Sequence, residues 1–68
     1  MEYLIVKFHE SRTVIIDGHV QGKTNLVIEL VGGQHTVSLG KPSDFNPPQY
    51  TVDIGNTSVV SPYELQFN

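Results

Sequence analysis

The 68-residue chain has no cysteine and no tryptophan, and it carries few positively charged residues. Without cysteine no disulfide can form, so the free energy of folding must come from an apolar core and from sheet hydrogen bonds. A folded chain of this length buries only about 60% of the surface that its unfolded form exposes. These absences exclude a disulfide framework and predict one small domain, residues 1–68, of modest stability.

The basic residues are too few and too scattered to hold a nucleic-acid backbone. Lysine and arginine total 4 against 7 acidic residues, which gives a formal net charge of −3. Lys7, Arg12, Lys23 and Lys41 stand singly along the chain. Binding several phosphates at once requires clustered positive charge, so we expect no nucleic-acid partner.

No apolar run is long enough to cross a bilayer. The run that starts the chain, Tyr3 to Val6, has four residues, and Glu2 precedes it where a signal peptide carries positive charge. We therefore expect no membrane insertion and no signal peptide. As written the chain is expected to be cytoplasmic, or a surface or envelope domain if it was excised from a longer exported protein.

Apolar residues recur at every second position, which is the period of a half-buried strand, and no stretch keeps a helical period. Turn-forming residues separate these runs at 16–22, 32–33, 40–48 and 55–62. The pattern predicts an all-β fold, a small antiparallel β-sandwich or partial barrel of about six strands. The predicted strands are residues 3–8, 12–16, 25–31, 34–40, 49–55 and 62–67.

Alternation within each predicted strand selects the side chains that face the core. Outside the central hairpin described next, the predicted core residues are Leu4, Val6, Phe8, Val14, Ile16, Tyr50, Val52, Ile54, Tyr63, Leu65 and Phe67. The segment 41–48 contains three prolines and cannot be a central strand. We expect it to cross from one sheet to the other, with Phe45 packed inward as an anchor.

The Gly32-Gly33 pair predicts a tight hairpin, because both glycines tolerate the positive φ that a type I′ turn requires. In that register Ile28 lies opposite Val37. One core-facing side of the hairpin would then hold Leu26, Ile28, Leu30, Val37 and Leu39.

Several turn signals follow one another in a fixed order in the middle of the chain. They are Val14-Ile15-Ile16-Asp17-Gly18, then Gly22-Lys23-Thr24, then Gly33-Gln34-His35-Thr36-Val37. Over residues 13–40 this order resembles the PEGA family of small β domains in bacterial and archaeal surface and envelope proteins. The resemblance implies a non-enzymatic structural or interaction module, with no established ligand residues to carry over.

Each of these signals also has a mechanical role in the predicted fold. The sequence predicts structural turn residues at Asp17, Gly18, Gly22, Gly32, Gly33 and His35. An aspartate before a glycine caps its own bend, so we interpret Asp17-Gly18-His19 as turn chemistry. For His35 we predict that the ring packs at the end of the core and that one ring nitrogen bonds a turn carbonyl.

Candidate catalytic and metal-binding residues do not form a pattern. His9, His19 and His35 lie on separate predicted elements, and no two have the spacing of zinc ligands. The serines lack the glycines of a nucleophile elbow, and no glycine-rich loop precedes a helix. A sandwich of this size also rarely encloses a small-molecule cleft. We predict no enzymatic activity, no cofactor and no metal.

The first strand is the predicted binding element, because Tyr3 and Ile5 make its second face apolar as well. We predict that it is an edge strand and that Tyr3, Ile5 and Lys7 contact a protein partner or a second copy of the chain. The alternative is a carbohydrate- or peptide-binding module. In that case Tyr3, Tyr50 and Tyr63 would stack on sugar faces, or a free edge would accept a strand.

Overall fold

The computed structural model describes all 68 residues as strands, turns and loops without a helix, which confirms the predicted all-β class. The chain forms seven strands rather than about six. They are β1 (Glu2–Lys7), β2 (Thr13–Ile16), β3 (His19–Lys23), β4 (Val27–Leu30), β5 (Gly33–Leu39), β6 (Tyr50–Ile54) and β7 (Tyr63–Gln66). The additional strand is β3, which occupies a stretch that we expected to be a turn.

The strands form two sheets of a small sandwich. The three-stranded sheet has the order β4-β1-β7, and the four-stranded sheet has the order β3-β2-β5-β6. Neighbouring strands are antiparallel except β1 and β7, which run parallel with Leu4 opposite Tyr63 and Val6 opposite Leu65. The predicted antiparallel arrangement therefore holds for every pair but this one.

One hydrophobic core lies between the two sheets. Strand alternation directs every second side chain inward. The buried apolar residues are Leu4, Val6, Phe8, Val14, Ile16, Ile28, Leu30, Val37, Leu39, Ile54, Leu65 and Phe67. Every strand contributes to this core except β3, whose only large apolar side chain, Val20, is 72% exposed. The core therefore joins six strands, and β3 is held through its pairing with β2.

The predicted hairpin at Gly32-Gly33 is wrong. β4 pairs with β1, so Ile28 lies opposite Leu4, whereas Val37 of β5 lies opposite Ile16 and Tyr50. Only Gly33 has a positive φ, of 120°, so the two glycines do not form a type I′ turn. β4 and β5 enter different sheets, and their apolar side chains meet across the core instead of side by side.

Leu26 is the one predicted core residue of that hairpin which the structure leaves on the surface. Its side chain is 62% exposed, because β4 begins only at Val27. The preceding Asn25 has a φ of 68°, a left-handed conformation that interrupts an extended strand. This break determines where β4 begins, so Leu26 is not part of the strand whose Ile28 and Leu30 side chains point into the core.

The tight hairpin of this domain lies at Asp17-Gly18. Ile16 pairs with His19, and the two residues between them have φ values of 53° and 83°. Positive φ at both central residues is the mark of a type I′ turn, whose twist matches the flanking strands. The turn therefore sends the chain back as β3, which explains the additional strand.

The segment 41–48 does not cross between the sheets as expected, because β5 and β6 are neighbours in the same sheet. The prediction for Phe45 is confirmed: its ring packs edge-on against Phe67, with ring centroids 5.6 Å apart. Edge-to-face pairs of this kind stabilise a core beyond the area that they bury. Phe45 therefore fastens a long connection within one sheet.

Arg12, which no sequence pattern marked as structural, also holds this segment. The side chain is only 9% exposed and lies 5.2 Å from the centre of the Phe8 ring. Its guanidinium donates to the carbonyl oxygens of Gly40 and Pro42, at 3.2 and 2.9 Å, and pairs with Asp44 at 3.0 Å. Glu10 completes the ion-pair cluster. A buried arginine with all these partners ties the 41–48 segment to the end of β1.

Candidate functional site

β1 is not an edge strand, which corrects the central assumption of the predicted binding element. It lies between β4 and β7, so both of its backbone edges are paired. Its two apolar faces have a simple cause: Leu4 and Val6 are fully buried in the core, and Tyr3 and Ile5 are half-buried between neighbouring strands. One face of β1 therefore fills the core, and the other lies beside side chains of β4 and β7 on the opposite side of the sheet.

The structure nevertheless places Tyr3, Ile5 and Lys7 on one surface. We call this surface the outer face: it is the side of the three-stranded sheet that points away from the core. It holds Tyr3, Ile5 and Lys7 of β1, Val27 and Glu29 of β4, and Glu64 and Gln66 of β7. The domain has only two layers of strands, so the outer face is open to solvent.

The outer face has an apolar centre and a charged border. Ile5 lies opposite Val27 on one side and Glu64 on the other. Tyr3 lies opposite Glu29, whose carboxylate raises the pKa of the tyrosine hydroxyl by hydrogen bonding and charge. The Lys7 ammonium lies 3.4 Å from the Glu64 carboxylate. The surface therefore offers apolar contact at Ile5 and polar contact around it.

An open cleft of about 500 Å³ continues the outer face beyond Lys7. It is lined by Ile5, Lys7, Phe8, His9, Asn25, Gln66, Phe67 and Asn68. We expected a domain this small rarely to enclose a cleft of several hundred Å³, and this cleft is open to solvent rather than enclosed. The lining combines apolar rings with amide, imidazole and ammonium groups, which suits hydrogen bonding and apolar contact with a bound chain.

The three tyrosines do not form a common platform. Tyr3 lies on the outer face, whereas Tyr50 and Tyr63 pack against the core. The Tyr50 hydroxyl donates to the Gln66 carbonyl at 2.6 Å, and its ring packs against Phe67 at 5.0 Å. The structure therefore assigns two of the three rings to packing within the domain.

His35 and Asp17 form a polar link that we call the His35 clip, which consists of Asp17, His35 and the Val31 carbonyl. His35 Nδ1 lies 2.6 Å from Asp17 Oδ2, and Nε2 lies 2.6 Å from the Val31 carbonyl oxygen. Both partners only accept hydrogen bonds, so the ring satisfies both by donating from both nitrogens as the imidazolium. The predicted bond to a turn carbonyl is confirmed.

The clip joins a turn within the four-stranded sheet to the connection that passes from one sheet to the other. Asp17 Oδ1 also accepts a hydrogen bond from the Thr36 amide, at 2.9 Å. That bond and the His35 ring hold the pKa of Asp17 below its ordinary value, and the carboxylate in turn raises the pKa of His35. The clip therefore fastens the β2–β3 turn to the β4–β5 connection by a charged pair.

The predicted turn glycines have different roles in the structure. Gly18 has the positive φ of a hairpin turn, and Gly33 begins β5 with a positive φ. Gly22 lies within β3 rather than at a turn, where a Cβ atom would meet Ile28 Cγ1 at 2.9 Å. Gly32 has no positive φ, and its close neighbour is the Glu2 side chain. Close packing against β4 explains the glycine at position 22.

Comparisons with known proteins add no relative. No protein-family model, no curated protein and no solved structure matches the chain.

The structure holds no group of three or more histidine, cysteine, aspartate or glutamate side chains placed to bind a metal ion. None of its elements is a helix long and apolar enough to span a membrane. The fold and the site together define a small two-sheet β domain whose three-stranded sheet carries Tyr3 and Ile5 on an open outer face.

Proposed function

We propose that this domain is a non-enzymatic protein-interaction module that binds polypeptide on the outer face of its three-stranded sheet. The observation that carries the proposal is the half-buried pair Tyr3 and Ile5 on an open sheet face, beside a cleft of about 500 Å³. The resemblance of residues 13–40 to PEGA domains supports a role as a structural unit of surface or envelope proteins.

The layout of the outer face supports a protein partner. Protein interfaces combine an apolar centre with a polar border that remains in contact with water. Ile5 and Val27 supply the centre here, and Lys7, Glu29 and Glu64 supply the border. The face is small for a stable complex, which corresponds to weak or transient binding.

Peptide binding by strand addition is a second candidate, and the free edges of the sheet favour it over carbohydrate binding. β4 and β7 each have a partner on one side only. A sugar-binding platform requires exposed rings on one surface, and Tyr50 and Tyr63 are packed against the core instead. A partner chain can use the outer face and an adjacent edge together.

The proposal is tested by Ile5→Lys with Val20→Lys as the matched control. Both changes put a lysine in place of a branched apolar residue on a strand, but Val20 lies on β3 of the four-stranded sheet. Peptides selected from a random library for binding to the wild-type domain are the probes, and fluorescence anisotropy measures their affinity. Ile5→Lys should weaken binding at least tenfold, by about 1.4 kcal/mol or more, and Val20→Lys should leave it unchanged.

Circular dichroism melts separate loss of binding from loss of fold. Ile5→Lys should keep the strand spectrum, because Leu4 and Val6 still fill the core from the opposite side of β1. Equal binding by wild type and a folded Ile5→Lys variant would contradict the proposal. So would a library that yields no binding peptide, or an Ile5→Lys variant that is unfolded.

A further inference from the structure

The direction of the backbone hydrogen bonds shows which groups of β4 remain unpaired. The Phe67 amide donates to the Lys7 carbonyl at 3.0 Å, and the Asn25 amide donates to the Val6 carbonyl at 2.7 Å. Successive residues of a strand direct their amide and carbonyl groups to opposite sides. Lys7 and the other odd-numbered residues of β1 therefore face β7, and its even-numbered residues face β4.

The register carries this alternation into β4. Leu4 lies opposite Ile28, and Glu2 lies opposite Leu30, so Ile28 and Leu30 direct their backbone groups toward β1. The backbone groups of Val27 and Glu29 then point the other way, along the free edge of the sheet. Two residues of β4 thus present both an amide and a carbonyl for a further strand.

Exposed apolar side chains accompany this edge. The exposed fractions are 47% for Val27, 67% for Val31 and 62% for Leu26. Natural proteins usually protect a free edge with charged side chains, prolines or bulges, and an uncovered apolar edge marks a contact site. Glu29 is the one charged side chain between Val27 and Val31. The edge therefore has both the hydrogen-bonding groups and the apolar surface that strand addition uses.

The β7 edge is less suited to the same role. The Gln66 carbonyl already accepts the Tyr50 hydroxyl, and Asn68 exchanges both of its backbone groups with Asn46. An added strand on that side would have to displace these bonds. On the β4 side the Val31 carbonyl accepts the His35 ring, but the backbone groups of Val27 and Glu29 that point to the free edge have no partner within the domain.

We propose that the β4 edge, Val27 to Val31, accepts one extended strand of a partner protein with the pattern apolar-x-basic-x-apolar. The inference rests on the proposed function and names its partner. The two apolar residues would lie opposite Val27 and Val31, and the basic residue would lie opposite Glu29. Cross-strand pairs of opposite charge and of β-branched residues are the pairs that stabilise a sheet. The pattern is symmetric, so it suits either strand direction.

A second copy of this chain is a poor occupant of the edge. Two β4 strands centred on each other would place Glu29 opposite Glu29 of the second copy, and like charges directly opposite destabilise a sheet. Each copy also carries a net charge of −3. The position that matches Glu29 requires a basic residue, which β4 lacks.

The experiment is a charge exchange across the proposed strand pair. The probes are the peptides acetyl-STVTKTVTS-amide and acetyl-STVTETVTS-amide, titrated into the 15N-labelled wild-type domain and into Glu29→Lys. In the wild type the lysine peptide should shift the amide signals of Val27 and Glu29 and bind about two- to fivefold more tightly than the glutamate peptide. In Glu29→Lys the preference should reverse. Val27→Pro, which removes the amide donor from the free edge, should abolish binding of the lysine peptide.

Four outcomes would overturn the inference. The first is a preference for the lysine peptide that Glu29→Lys leaves unchanged. The second is a set of shifts on Ile5 and Lys7 with none on β4, which would leave the proposed outer-face function standing. The third is light scattering that shows a dimer of the free domain dissociated by Val27→Pro, because a second copy would then occupy the edge. If neither peptide shifts any signal, this inference fails and the library selection decides the proposed function separately.

Discussion

Replacing Phe67 by alanine should remove a large part of the stability of this domain. The side chain is 1% exposed and stands directly after β7, next to the last residue of the chain. Its ring packs edge-on against Phe45 and Tyr50, with centroids 5.6 and 5.0 Å away. One residue therefore joins the end of β7 to the 41–48 segment and to β6.

The expected cost follows from these contacts. Truncation of a buried phenylalanine to alanine costs about 3–5 kcal/mol, which includes the cavity that remains. A domain of this length has a total stability of about 3–10 kcal/mol. Phe67→Ala should therefore remove between about a third and all of that stability, and the midpoint of urea unfolding should fall accordingly. Phe67→Leu keeps most of the apolar volume and loses two ring pairs, at about 0.5–1.5 kcal/mol each, so it should remain folded with a lower melting temperature.

Urea unfolding followed by circular dichroism measures the free energy of unfolding of the three proteins. Val60→Ala is the control, because Val60 is 91% exposed and its truncation should change the stability by less than about 0.5 kcal/mol. A Phe67→Ala variant that loses less than about 1 kcal/mol would refute the packing described here. It would place the ring outside the core.

The remaining predictions concern the clip, a glycine and the buried arginine. Folding raises the pKa of His35 above its ordinary value of 6.5 and lowers the pKa of Asp17 below its ordinary value of 3.8. The clip therefore contributes its full stabilisation of the folded state between pH 3.8 and pH 6.5. The melting temperature should fall as the pH rises above 6.5 or drops below 3.8, and His35→Gln should flatten the decline on the basic side. Gly33→Ala should lower the free energy of unfolding in urea by about 1 kcal/mol or more, because Gly33 has a φ of 120°. Gly55 has no positive φ and open space around it, so Gly55→Ala should lower the free energy of unfolding by less. Arg12→Lys loses the planar two-point contact with Asp44, so amide exchange in residues 41–48 should accelerate; unchanged exchange would contradict the role given to Arg12.

Periodicity predicted the inward-facing residues well because it depends only on the geometry of each strand. Alternation in β1 and β2 selected Leu4, Val6, Val14 and Ile16, and all four are buried. It could not predict strand partners, since every strand presents the same backbone groups to its neighbours. Ile28 and Val37 were therefore assigned to the right core but to the wrong pairing.

Turn signals alone could not decide where the hairpin forms. Gly32-Gly33 and Asp17-Gly18 both permit positive φ, and the sequence pattern favoured the first. The structure forms the type I′ turn at the second, where the Asp17 carboxylate also accepts the Thr36 amide. Because that contact joins residues far apart in the chain, no local pattern reveals it. β3 was missed for a related reason, since Val20 is its only large apolar residue and gives no alternation.

The candidate site was predicted in part. Tyr3, Ile5 and Lys7 share a surface, as their spacing in one strand requires. Val27 and Glu29 join that surface only because β4 pairs with β1, a pairing that the sequence pattern did not predict. Arg12 gave no sequence signal because a single arginine between two strands is ordinarily exposed, and its burial depends on the distant Asp44.

Amide-shift mapping on the 15N-labelled domain shows residue by residue whether the outer face of the three-stranded sheet binds polypeptide. The titrant is the tightest peptide from the library selection. We expect the largest shifts on Tyr3, Ile5 and Lys7 and on their β4 neighbours Val27 and Glu29. Shifts confined to the four-stranded sheet or to the 41–48 segment, with the outer face unchanged, would contradict the proposed binding.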